Sequence, residues 1–95
     1  MARTGPASIG LVEDDSRVRE ALVTILNAAA DLRLAGVWAN AEDALQGWAK
    51  ECPDAVIMDI NLPGASGIAC VRGLSQRWPA AQFLMYTMYD DQRVF

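Results

Sequence analysis

Ala55-Val56-Ile57-Met58-Asp59-Ile60-Asn61-Leu62-Pro63-Gly64-Ala65-Ser66-Gly67 is the stretch whose reading decides the fold. Four apolar residues run into an acid, and the acid runs into a loop rich in turn-forming residues. A short apolar run bounded in this way reads as a strand buried on both faces. Asp59 then stands at the carboxyl end of that strand. The same pattern recurs on either side. Upstream, Ile9-Gly10-Leu11-Val12 leads into Glu13-Asp14-Asp15; downstream, Phe83-Leu84-Met85-Tyr86 leads into Thr87. The carboxyl ends of the strands in an open parallel sheet line one crevice, where such folds bind ligands.

The segments between these strands carry helical spacing. The expected elements are strand 8–12, a helix from 16 or 17 to 29 or 30, strand 32–38, helix 41–50, strand 55–58, helix 68–78 and strand 82–86. Val18, Ala21, Leu22, Ile25 and Leu26 make one apolar stripe, and Ala44, Leu45 and Trp48 another. Ile68, Val71, Leu74 and Trp78 make a third. Asp14, Asp15 and Ser16 are candidate N-caps for the first helix, and Asn40 for the second. Pro53 and Pro79 stop the helices before them. Ala35-Gly36 interrupts the second strand. Residues 90–95 read as the opening of a fourth helix. Strands alternating with helices mean βαβ units and a parallel sheet covered on both faces. Residues 1–7 read as a loose lead-in and 8–95 as the domain.

At 95 residues the chain is one small domain, burying about 60–65% of its unfolded surface. A hydrophobic share of 53% against 21% charged is globular composition. A net charge of −4 argues against a nucleic-acid partner, which usually meets a basic face. The absence of His removes the commonest general base and zinc ligand. Cys52 and Cys70 form no CxxC pair and read as buried free thiols in a reducing cytoplasm. No apolar run reaches the roughly 20 residues of a membrane span, and the start lacks the apolar core of a signal peptide.

Carboxylates forced together repel one another unless a cation or proton intervenes. Hard oxygen ligands suit Mg²⁺, which also favours phosphate chemistry. Asp59 can act as a nucleophile toward a phosphoryl group, giving an aspartyl phosphate. Glu13 and Asp14 would hold the metal with Asp59, and the backbone carbonyl of Asn61 is a further ligand. Thr87 would donate a hydrogen bond to the new phosphoryl group. An acidic run at a helix start is commonly no more than capping, and a lone Asp after a strand says little. The signal is their joint occurrence, in order, at three strand ends. Trp38, Trp48 and Trp78 read as packing residues.

These residues resemble the receiver domain of two-component response regulators. Leu11-Val12-Glu13-Asp14-Asp15 is similar to the family's first strand and acidic pair. Val56 to Gly67 is similar to its phosphoacceptor strand and loop, and Leu84-Met85-Tyr86-Thr87 to its fourth strand with the switch hydroxyl. Residues 18–22 and 39–45 resemble the subfamily whose receivers precede a LuxR/NarL-type helix-turn-helix. The resemblance implies a flavodoxin-like doubly wound sheet and phosphotransfer from a sensor histidine kinase to Asp59 with Mg²⁺. Asp14 and Asp59 would bind the metal directly and Glu13 through water, with Asp15 starting the helix. Four strands are expected here. The family's fifth strand, with its lysine, and its fifth helix are not; Lys50, the sole lysine, falls in helix two. Helix one and strand four would then be left exposed, which favours self-association.

Two other functions compete. One is an interaction or dimerisation module with the same fold that does not switch. The other is an Mg²⁺-dependent phosphatase with a nucleophilic Asp; such enzymes place a second acid two residues on, where this chain has Asn61.

Overall fold

The computed structural model describes residues 5–47, 53–62 and 67–86. Four strands, β1 (Ala7–Val12), β2 (Leu32–Trp38), β3 (Ala55–Asp59) and β4 (Gln82–Tyr86), alternate with helices α1 (Ser16–Ala28), α2 (Ala41–Gly47) and α3 (Gly67–Arg77). All strand pairs are parallel and the order is β2-β1-β3-β4. The parallel sheet is what the alternation predicts, and its order is the flavodoxin-like one that the resemblance implies, with the crossover between β1 and β3 placing the switch point there. The expected strands 32–38 and 82–86 match their observed bounds, and β3 runs one residue further, to Asp59. Trp48, Lys50 and Cys52 lie outside the described residues.

Side-chain parity sorts the sheet into two faces. Val12, Val56 and Met58 turn toward α2 and α3, where they form the core with Ala44, Cys70, Leu74 and Trp78. Each large side chain so buried is worth about 1.5–3 kcal/mol relative to exposure. Ile57, Leu84 and Tyr86 turn the other way and line a groove of about 410 Å³ with Val18, Ala21, Leu22 and Ile25 of α1. The stripe expected on α1 is therefore real, but only Leu26 of it is buried.

The helix starts follow local chemistry. Asp15 has an extended backbone, and its carboxylate accepts the N–H groups of Arg17 (2.9 Å) and Val18 (3.4 Å). Asn40 Oδ1 accepts the N–H of Asp43 at 2.8 Å. Each such cap is worth about 1 kcal/mol. The Ala35-Gly36 interruption is a register shift: Ile9 pairs with Leu34 but Gly10 with Gly36, and the strand continues. At the far end of the sheet, Ser8 and Asp54 bond reciprocally through backbone and side chain, Ser8 N–H reaching Asp54 Oδ2 at 2.7 Å. Among the described residues no helix is long and apolar enough to cross a membrane.

One stripe needs correction. Ile68 is 54% exposed; the buried positions of α3 are Gly67, Cys70 and Leu74, and Trp78 just past its end is buried in phase with them. These recur at helical spacing from Gly67, which turns Ile68 outward by one step. Burial, and then the charge of Glu42, pushes the Cys70 thiol up to about 11. Thiolate is the reactive species. Iodoacetamide at pH 8 should therefore leave Cys70 unmodified in the folded chain and modify it in urea, as read by peptide mapping. Equal labelling in both conditions would contradict the burial.

Candidate functional site

The register aligns the carboxyl ends of β1, β3 and β4. Val12 pairs with Met58, so Glu13 comes level with Asp59, and Asp59 pairs with Tyr86. Glu13, Asp59 and Tyr86 share the parity of Leu11, Ile57 and Leu84, so all three project toward the α1 side of the crevice. Asp14 follows in the β1–α1 loop. Single oxygens of Glu13, Asp14 and Asp59 lie within 4.8 Å of one another. Glu13 is 2% exposed and Asp59 6%, whereas Asp14 is exposed.

The backbone fixes these groups. Glu13 N–H donates to the Trp38 carbonyl at 3.0 Å, and Ile60 N–H to the Tyr86 carbonyl at 2.8 Å. The Arg19 guanidinium reaches back from α1 to the carbonyls of Glu13 (3.0 Å) and Asp14 (3.2 Å). Asn61 N–H donates to Asp59 Oδ1 at 3.0 Å, closing the turn after β3. Glu13 Oε2 accepts Asp15 N–H at 3.0 Å, and its Oε1 accepts the Tyr86 hydroxyl.

Burial raises the Glu13 pKa; the Tyr86 and Asp15 donors oppose the rise, and Asp59 adds to it. Burial also raises the Tyr86 hydroxyl, followed by the bond to Glu13 and the negative charges of Glu13, Asp59 and Asp14. The phenol therefore stays protonated and acts as a donor. The donor set is all oxygen, with no thiol or imidazole, which suits a hard divalent cation such as Mg²⁺. Such a cation would relieve the repulsion of the three acids.

Of the residues singled out in the sequence, Glu13, Asp14 and Asp59 are brought together and Asn61 adjoins Asp59. Thr87 lies outside the described residues. Tyr86 and Arg19 were not singled out. Tyr86 reaches an acid 73 residues away, which no local pattern reports; Arg19 carries only the weak signal of a base one turn into an acid-capped helix.

The response regulator receiver domain family matches residues 9–95. The oxygen regulatory protein NreC of Staphylococcus haemolyticus is 33% identical over 88% of this chain, which covers 39% of that protein. The transcriptional regulatory protein DegU of Brevibacillus brevis is 30% identical over 88% of the chain, which covers 36% of it. The chain thus spans about two-fifths of the length of these relatives. A two-component response regulator of the LuxR family from Aurantimonas sp. SI85-9A1 superposes with a TM-score of 0.80 at 32% identity, over 90% of this chain and 61% of that one. With its parallel sheet and its acids gathered at the carboxyl edge, this chain belongs to the receiver domains of two-component response regulators, in their LuxR/NarL-like branch.

Proposed function

We propose that the chain accepts a phosphoryl group onto Asp59 from the phosphohistidine of a sensor histidine kinase, with Mg²⁺. The observation that carries the reading is the cluster of Glu13, Asp14 and Asp59 at the end of β3, with single oxygens within 4.8 Å. An Asp59 oxygen forms a bond to phosphorus as the phosphorus–nitrogen bond of the donor breaks, and the imidazole keeps the electron pair. Phosphoryl transfer asks a protein mainly for position and charge neutralisation. Asp14, Asp59 and the Asn61 carbonyl would hold the metal, with Glu13 supporting them. Mg²⁺, when bound, offsets the charge of the carboxylates and of the incoming phosphoryl oxygens. The Asn61 N–H on Oδ1 orients the nucleophile. Thr87, next after Tyr86, would donate its hydroxyl to the phosphoryl group. Asp59 is modified once per event, so the domain is a phosphoacceptor rather than a turnover enzyme.

The reading extends to transcriptional control through a DNA-binding output region, in the cytoplasm. With its acidic balance this segment would not bind DNA itself. The test is intact mass after incubation with acetyl phosphate and Mg²⁺, with an EDTA control. One added phosphoryl group, absent with EDTA, is expected. No gain by the folded chain would overturn the reading.

A second reading has its own observation. Ile25 is 63% and Leu84 62% exposed beside the α1–β4 groove. The β4 bonds to β3 run through Gln82 and Tyr86, so the peptide groups of Phe83 and Met85 face the open edge, where no described strand pairs. Such an edge invites pairing, and we propose that two copies associate there. Sedimentation at high concentration should show a dimer that Ile25→Glu with Leu84→Glu converts to monomer. A wild-type monomer throughout would sink the idea.

A further inference from the structure

Tyr86 is the side chain at the site that neither the acid pattern nor the phosphoacceptor chemistry uses. It belongs to β4, two strands away from β1 in the order β1-β3-β4. Adjacent strands lie about 4.8 Å apart, so the backbones of Glu13 and Tyr86 stand roughly 10 Å apart across β3. A leucine or valine at position 86 is too short to cross that gap. The phenol crosses it and places its hydroxyl on Glu13 Oε1.

The consequence for Glu13 is specific. Its carboxylate is nearly fully buried, and both oxygens have a donor: Oε2 takes Asp15 N–H at 3.0 Å and Oε1 takes Tyr86. Donors at both ends fix its rotation as well as its position. An ionised carboxylate offers about four lone-pair sites, so each oxygen keeps capacity for a cation or a water on a cation. Without the hydroxyl, the buried acid would sit close to Asp59 and Asp14 with one end free to turn away from their charge.

We propose that Tyr86 is a positioning residue for the cation site, holding Glu13 in place from the neighbouring edge of the sheet so that a divalent cation meets three acids already gathered. This rests on the metal-assisted reading above. Tyr86 is assigned a role through Glu13, the acceptor of its hydroxyl, and none on the reacting atoms.

The experiment is a calorimetric Mg²⁺ titration of the full chain without phosphodonor, for wild type, Tyr86→Phe, Glu13→Gln and the double variant. Circular dichroism checks that each is folded. A tenfold change in affinity is about 1.4 kcal/mol, within reach of one hydrogen bond to a charged group. Tyr86→Phe should therefore weaken Mg²⁺ binding roughly tenfold. In the Glu13→Gln background the same change should shift affinity by less than about twofold, because the amide can still accept the hydroxyl but no carboxylate is left for Tyr86 to hold toward the cation. A general structural role for the ring would instead move both backgrounds equally, and that result overturns the proposal. Equal or tighter binding by Tyr86→Phe also overturns it. A folded wild type that takes up no Mg²⁺ sinks the metal reading and this one together, whereas normal wild-type binding with an indifferent Tyr86→Phe sinks this one alone.

Discussion

Asp59→Asn should abolish phosphoryl uptake from acetyl phosphate, with no added mass at donor and Mg²⁺ concentrations that convert the wild type. The amide lacks the charged oxygen that attacks phosphorus, so the loss should be complete rather than graded. The variant should nevertheless fold. Asn keeps an acceptor oxygen for the Asn61 N–H that binds Asp59 Oδ1 at 3.0 Å. It also removes one of three negative charges whose oxygens lie within 4.8 Å. Without Mg²⁺ the thermal midpoint should therefore rise, by about 1 kcal/mol or roughly 4–8 °C for a domain of this size. Added Mg²⁺ should stabilise the wild type more than the variant, because a ligand that binds only the folded state raises its stability by mass action. Persistent phosphorylation of Asp59→Asn would move the acceptor elsewhere. A lower midpoint without Mg²⁺ would mean that Asp59 is held by partners other than repelling acids.

Much of this arrangement is legible in the sequence because its causes are local. The apolar run 55–58 needs no distant partner to read as a buried strand, and Asp15 and Asn40 cap helices through N–H groups two or three residues on. Gathering Glu13, Asp14 and Asp59 takes only the rule that parallel strands end together. What escaped has long-range causes. The stripe placed on Ile68 missed because the inward phase of α3 is set by Gly67, whose N–H bonds the Ile60 carbonyl at 3.1 Å. An apolar residue at the first turn reads as core unless that contact is known. Tyr86 reads as one more strand residue until the register brings it level with Asp59. The exposure of Leu84 and Ile25 did not escape: it is the one expected for helix one and strand four, although their apolar character alone would read as core.

The same contact makes Gly67 the position where the smallest change should do most damage. A Cβ there would lie 2.1 Å from the Asp59 carbonyl oxygen, 2.9 Å from Ile60 Cα and 3.0 Å from the Asp59 carbonyl carbon. All three are backbone atoms, so no side chain can swing aside. Either α3 retreats from the sheet or the end of β3 moves, and the end of β3 carries Asp59, the proposed phosphoacceptor. Overpacking of this kind costs about 1–3 kcal/mol, against which the better helix propensity of Ala returns up to about 1 kcal/mol. Gly67→Ala should lower stability by about 1–2 kcal/mol net and slow phosphorylation by acetyl phosphate by tenfold or more, since a displacement near 1 Å can cost about a hundredfold. Gly73→Ala on the same helix is the control. Its nearest neighbours would all be side-chain atoms of Leu45, with Cδ2, a movable tip, closest at 2.9 Å. There the propensity gain and the small clash should nearly cancel, with the phosphorylation rate kept. Two variants with equal midpoints and equal rates would show that α3 does not press on the Asp59 peptide, and that the acceptor is positioned from β1 and β4 alone.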